Sequence, residues 1–423
     1  MDLMNQLYQH FLDSTGVCTD TRKITKGSLF FALKGGNFNG NKFAKQALDL
    51  GAAYVVIDEA EYKLDNRYFL VDDVLETLQQ LANYHRKQFN IPFLAITGSN
   101  GKTTTKELIR DVLCTRYRVH ATDGNFNNHI GVPLTLLSMP TDTELAIVEM
   151  GANKIGDIAE LCAIAEPTHG IITNIGKAHL EGFGSVEGIK KGKGELFDFL
   201  ASANGTCFVN TNDPVLLRLS EQVTNRDLYS DVNYQLIEAN PSVLFHSKKG
   251  KVRTNLMGDY NYMNMLAAIH VGLFFSIPEE KALKAITDYE STNNRSQLIK
   301  IGHRTILLDA YNANPTSMEK SIESFSLSEG NQKAVVLGEM LELGLASAEE
   351  HKHLLNLLNQ FDHVFLFGNE FTPFKKEFPT YAFFTDKEVL KSNLQQLATS
   401  VDTVLIKGSR GNRLEELVKV FEA

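Results

Sequence analysis

Residues 94–109 read LAITGSNGKTTTKELI. An unbroken apolar run enters a glycine-rich stretch carrying Lys102 and Thr103, and a helix-patterned run with Leu108, Ile109, Val112 and Leu113 leaves it. Strand, glycine loop and helix in that order form a phosphate-binding loop. This constrains the fold strongly. A parallel strand must deliver the loop, and the N-terminal amides of the following helix must face the anion. Gly98, Ser99, Asn100, Gly101, Lys102, Thr103 and Thr104 form the expected ATP cradle. Lys102 is placed for the β- and γ-phosphates and Thr103 for Mg2+. The bland alternative is a glycine turn beside a surface lysine. The loop is also shorter than the usual one, since only Ser99 and Asn100 separate Gly98 from Gly101.

The chain has 423 residues, and at about 150 residues per domain that is roughly three domains. An α/β protein is expected. Residues 1–88 form a small α/β domain, with the strand SLFFALKG, the helix and strand of FAKQALDLGAAYVVID, and the amphipathic helix VLETLQQLANYHRKQF. Residues 89–300 repeat strand-loop-helix units through FLAIT, LAIVEMGA, GIITNIG and TCFVNTND, as in a mostly parallel sheet with flanking helices. VLFHSKKGKVRTNL interrupts them as a hairpin turning at Lys249-Gly250. Residues 301–423 repeat the alternation in TILLDA, AVVLGE, HVFLFG and TVLIKG, a Rossmann-like sheet without GxGxxG.

Net charge is −9, which argues against nucleic acid or an anionic membrane surface as the main partner. The N-terminus lacks a signal-peptide pattern, and no window approaches the ~18 apolar residues of a membrane span. Cys18, Cys114, Cys162 and Cys207 are widely spaced and form no CxxC. They read as reduced thiols of a cytoplasmic protein.

Glu149 closes a strand beside Gly151, where a carboxylate reaches Mg2+ or is simply solvated. His179 lies in a glycine-rich loop after another strand, as a metal ligand or a structural histidine. Lys190, Lys191 and Lys193 share a helix whose default reading is a solvated basic face. Asp309 ends a strand and could hold a ribose, while Asn312 and Asn314 precede Pro315 as helix caps or ligand contacts. Lys407, Ser409 and Arg410 follow a strand in positions suited to an anion. Thr19, Asp20, Thr21 and Arg22 precede the strand of the first domain and suit an anionic ligand.

Several of these strings together resemble the Mur ligases of peptidoglycan synthesis. They are ITGSNGKTTTKE, NFNNHIGVPLTLL, EMGANKIGDI, TNIGKAHLEGFGSVEGI, DAYNANPTSM, LGEMLELG and KGSR, with DTR and GSLFFAL extending the likeness into the first domain. The short loop is the form shared by Mur ligases and folylpolyglutamate synthetases. YNANPTSM points to the member that joins D-alanyl-D-alanine to UDP-N-acetylmuramoyl-tripeptide, since the tripeptide-forming relative usually has a histidine there. The first-domain match disfavours a folylpolyglutamate synthetase. A P-loop kinase or switch, or a nucleotide-binding scaffold, would leave Glu149, His179 and Lys193 unexplained.

The resemblance implies three domains, for the UDP-sugar, for ATP and for closure over both. It implies a monomer and ATP-dependent amide formation through an acyl phosphate. Thr103 and Glu149 would ligate one Mg2+; His179 and a carbamylated Lys193 would ligate a second. Asn261 would contact adenine, although Tyr260 stands where the family usually has histidine. Arg295 and Asp309 would meet phosphate and ribose. Lys407 and Arg410 would form a substrate-side anion site, with Thr21 and Arg22 on the UDP-sugar. Asn125, Asn127 and Asn128 would shape the central substrate cleft.

Overall fold

The computed structural model describes residues 3–422 except 329, 331, 398 and 399. Its first sheet is parallel, in the order Val17–Cys18, Leu29–Phe31, Tyr54–Ile57, Tyr68–Leu70. The helix Val74–Arg86 starts where Asp73 accepts the Glu76 N–H at 2.8 Å, and it buries Leu78, Leu81 and Ala82. That apolar face continues from Leu7 of the first helix to Phe93 and Ala95 of the next sheet as one core. Arg86 seals the joint. Its guanidinium lies 4.0 Å over the Phe93 ring and donates to the carbonyls of Ala165 and Glu166 at 2.9 and 2.7 Å. A buried cation is tolerated when its donors are matched in this way.

The second sheet is entirely parallel, in the order Asn225–Tyr229, Thr206–Asn210, His169–Ile172, Phe93–Thr97, Leu145–Glu149, Val119–Ala121. Phe93–Thr97 and Leu145–Glu149 are buried on both faces, which is why they read as continuous apolar runs. The chain leaves Phe93–Thr97 toward one edge and later returns to its other side. The carboxyl end of that strand is therefore the switch point where α/β sheets bind ligands. An antiparallel sheet of Gln235–Glu238, Leu244–Ser247 and Gly250–Arg253 follows. Its second hairpin pairs Ser247 with Gly250, so the turn is Lys248-Lys249, one residue before the expected position.

The third sheet runs Gln297–Ile301, Arg304–Asp309, Thr403–Lys407, Lys333–Gly338, His363–Phe367, Ala382–Phe384. Its first strand is antiparallel to the second, and the others are parallel. Strand alternation divides its core. Leu307, Leu337 and Leu405 pack with Met318 and Ile322 on one face, while Ile306, Leu308 and Ile406 pack with Leu417 on the other. Among the described residues, no helix is long and apolar enough to cross a membrane.

Candidate active site

Two glycines give the loop its shape. Gly98 has φ +142°, and a Cβ there would sit 2.0 Å from Thr173 Oγ1; Gly101 has φ +78°, and its Cβ would meet Asn264 Oδ1 at 2.7 Å. Neither position accepts a side chain without movement. The neighbouring strand fixes the rest. Ser99 Oγ donates to Gly176 O and accepts Gly176 N–H, both at 2.9 Å, and Asn100 O accepts from Thr173 Oγ1 at 2.6 Å. The Lys102 ammonium folds back on the loop, donating to Gly98 O at 2.7 Å and Ser99 O at 3.2 Å. Burial pushes it down to about 8, with Glu149 opposing and Arg295 adding to the shift. A lysine held this way is short of anionic partners, which is the condition a phosphate relieves.

Glu149 sits beside the loop and is 1% exposed. Its Oε1 accepts from Thr103 Oγ1 at 3.1 Å and from Asn127 Nδ2 at 2.8 Å. Its Oε2 has no hydrogen-bond partner, and the nearest cation is Lys106 Nζ at 3.7 Å. A buried carboxylate oxygen without a donor is costly. A hard divalent cation next to the Thr103 hydroxyl would satisfy it, so these residues fit Mg2+. No group of three His, Cys, Asp or Glu side chains suited to a metal occurs among the described residues. Mg2+ does not require one, since it commonly takes one or two carboxylates and completes its shell with water and phosphate oxygens.

Burial separates the three lysines of the helix Val186–Ser202. Lys191 is exposed and Lys190 pairs with Glu187 at 2.5 Å, whereas Lys193 is 1% exposed. Lys193 Nζ donates to Ala152 O at 3.1 Å and lies 5.3 Å from the Phe183 ring centre. Burial and the nearby Lys102 hold it well below its ordinary value. His179 has φ +53°, and its Nδ1 lies 2.5 Å from Glu342 Oε2 in the third domain. The ring nitrogen makes no aligned hydrogen bond, so the contact is an ion-pair approach off the N–H line.

The third domain reaches the loop directly. Asn314 caps the helix Pro315–Ser326 by accepting the Ser317 N–H at 2.9 Å, and its Nδ2 donates to Asn100 Oδ1 at 2.7 Å. Lys177 N–H donates to Thr316 Oγ1 at 3.0 Å, and its ammonium meets Glu350 at 2.6 Å. These contacts border a cavity of about 320 Å³ between the two domains, lined partly by Ile175, Met340 and Leu354.

Other expected residues are distributed differently. Lys407 is buried on Asp309 at 2.5 Å and also donates to Asn312 O, so it braces the strand-end carboxylate and does not face an open anion site. Asp309 Oδ1 accepts the Ser296 N–H at 3.3 Å. Arg410 stays at the surface, donating to Tyr311 Oη at 3.2 Å. Arg295 stacks 3.8 Å over the same ring, and its Nε is buried without a hydrogen-bond partner. Asn261 is buried, donating to Met257 O at 2.7 Å and accepting from Asn264 at 3.1 Å. Of the cleft asparagines, only Asn127 reaches Glu149. Asn128 Oδ1 accepts the Gly131 N–H at 2.8 Å just before the helix Gly131–Leu137, and Asn125 and Asn312 are exposed. Ser409 Oγ donates to Glu339 O at 2.9 Å. Arg22 folds onto Asp20 at 2.8 Å and holds that carboxyl down at about 2, with Thr21 in the same short turn. Lys106, Asn264, Tyr311 and Glu342 escaped the sequence reading. The spacing Asn261/Asn264 places two amides on one helix face and could have flagged the second.

Three family models cover most of the chain: "Mur ligase family, catalytic domain" over residues 13–86, "Mur ligase middle domain" over 96–272, and "Mur ligase, glutamate ligase domain" over 294–410. The UDP-N-acetylmuramoyl-tripeptide--D-alanyl-D-alanine ligase of Bacillus subtilis is 38% identical, across 96% of this chain and 92% of the relative. The Escherichia coli protein of that name is 31% identical, across 96% and 93%. The crystal structure of MurF from Acinetobacter baumannii superposes with a TM-score of 0.86 at 28% identity, covering 99% of this chain and 98% of that one. MurF ligase from Thermotoga maritima in complex with ADP gives 0.84 at 28%, covering 97% and 98%. Relatives this similar over nearly their whole length, with family models laid end to end along the sequence, leave one assignment: the chain belongs to the Mur ligase family.

Proposed function

We propose that the protein is the ATP-dependent amide ligase that joins D-alanyl-D-alanine to UDP-N-acetylmuramoyl-tripeptide. The observation that carries this is the orphaned Oε2 of Glu149, buried beside Thr103 at a phosphate loop that Asn314 of the third domain also touches through Asn100. The names of the full-length relatives supply the substrates, and the ADP-bound Thermotoga structure supports the nucleotide. Residues 1–88 would hold the UDP-sugar, with Thr21 and Arg22 turning from Asp20 to the ligand. Residues 89–300 would hold ATP, and residues 301–423 would close over both. A cytoplasmic monomer is the form proposed.

The chemistry follows from the weakness of a carboxylate as electrophile. The tripeptide carboxylate attacks the γ-phosphorus, ADP leaves, and the acyl phosphate now has a good leaving group. The neutral amine of D-alanyl-D-alanine then attacks the acyl carbon, phosphate departs and the amine gives up a proton. The protein's share is positioning and charge neutralisation. The Lys102 ammonium exchanges the Gly98 and Ser99 carbonyls for phosphate oxygens. The amides of Gly101 to Thr104 cradle the anion at the helix start. Asn261 and Asp309 would contact adenine and ribose, and Arg295 would contact phosphate. Asn127 orients Glu149.

Mg2+, when bound, spreads the developing phosphoryl charge. Thr103 and Glu149 would hold one ion, and His179 with Lys193 a second. An ammonium repels Mg2+, but the buried, proton-poor Lys193 amine is suited to take up CO2, lose a proton and present an anionic carbamate oxygen. The test of the function is phosphate release from ATP with the UDP-muramoyl-tripeptide, with and without D-alanyl-D-alanine. Release that requires both supports the assignment; release indifferent to the dipeptide defeats it.

A further inference from the structure

The loop after the strand Lys333–Gly338 is a braced arm. Met340 N–H donates to His351 Nε2 at 3.0 Å, Leu341 N–H donates to Ser409 Oγ at 3.1 Å, and Ser409 holds Glu339 O. From this arm Glu342 projects with φ +65°. Its carboxylate meets His179 Nδ1 and its carbonyl accepts the Glu181 N–H at 3.3 Å. Both partners hold left-handed backbones that ordinary residues avoid, and such strain persists only where surrounding structure imposes it.

We propose that Glu342 is a positioning residue for the ligase reaction: carried by the third domain, it holds the His179 ring by Nδ1 and leaves Nε2 as the ligating nitrogen. The inference rests on His179 serving as a metal ligand in the proposed function. A carboxylate on the far nitrogen of a metal-binding histidine fixes ring orientation and raises its basicity, and losing such a partner typically weakens metal binding 10–100-fold. Here that partner comes from a different domain than the histidine. Docking of the third domain therefore completes the metal site, which would tie domain closure to catalytic competence.

The test uses the full chain with ADP and Mn2+ as the probe. Mn2+ binding is titrated by electron paramagnetic resonance, and the His179 ring is followed by 15N NMR, assigned by its absence in His179→Ala. Glu342→Ala should shift the His179 Nδ1 resonance and weaken the weaker Mn2+ site about tenfold or more. The tighter site should stay within about twofold. Turnover should lose kcat while KM for ATP holds, and Glu342→Gln, which keeps the side chain's size and an oxygen beside Nδ1 but loses the charge, should recover part of the loss. An unchanged ring resonance and unchanged weak site in Glu342→Ala, where His179→Ala loses that site, would overturn the proposal alone. Two intact Mn2+ sites in His179→Ala would overturn it together with the metal reading beneath it.

Discussion

Asn314 performs two separable jobs. Its Oδ1 caps a helix and its Nδ2 bridges to Asn100 across the domain boundary. Asn314→Ala removes both. The cap is worth about 1 kcal/mol, and the bridging hydrogen bond about another 1 kcal/mol. The Asn100 amide suffers further, because its Nδ2 is already without a partner and its Oδ1 loses the donor. Asn314→Ser keeps a good cap on a side chain too short to reach Asn100, so it isolates the bridge. Urea unfolding should place Asn314→Ala about 1 kcal/mol below Asn314→Ser. In kcat/KM for ATP, a double-mutant cycle of Asn314→Ser with Asn100→Ala should give a coupling of about 1 kcal/mol, close to fivefold. A coupling of zero would refute the reasoning that this bridge helps set the loop for catalysis.

Glu149→Gln should abolish Mg2+-dependent turnover while leaving the fold intact by circular dichroism, because Thr103 and Asn127 still find an acceptor oxygen; retained turnover would remove the metal role. Intact mass of bicarbonate-treated protein should exceed that of untreated protein by one carbamate, and Lys193→Ala should lack it; equal occupancy in both would exclude Lys193. His169, packed against Phe208 and Phe275, is pushed down to about 4 by burial, from an ordinary 6.5. Below pH 6.5 the unfolded chain binds the proton that the folded chain refuses, so its contribution to stability is full above pH 6.5 and is lost as pH falls toward 4. Between pH 7.5 and 5 that is a loss of about 2 kcal/mol, and His169→Gln should remove this part of the pH dependence of urea unfolding.

The sheet centres were legible because their strands are buried on both faces. FLAI, LAIV and VLI form the unbroken apolar cores of Phe93–Thr97, Leu145–Glu149 and Thr403–Lys407, and each is an interior strand. Edge strands were not. Asn225–Tyr229 reads NRDLY, with mostly exposed side chains, and its pairing with Thr206–Asn210 supplies the order that its composition does not. Gln297–Ile301 straddles the expected domain boundary at residue 300, yet it pairs antiparallel with Arg304–Asp309 and begins the third sheet. The same division holds in the site. Lys102 and Thr103 open the helix after the loop and Glu149 ends a strand, positions whose geometry the local sequence encodes. Glu342 and Tyr311 reach their partners through domain packing, so their sequence neighbours carry little trace of it. Lys407 is ambiguous in sequence because an anion site and a buried ion pair with Asp309 present the same lysine at a strand end.

The acyl phosphate route is tested most directly by isotope transfer. Tripeptide substrate carrying 18O in its terminal carboxylate is turned over with ATP and D-alanyl-D-alanine in ordinary water, and the released phosphate is weighed by mass spectrometry. If the carboxylate attacks the γ-phosphorus, each phosphate carries one 18O from the substrate. Phosphate without that label, formed while the amide is made and the displaced 18O appears in water, would contradict the account.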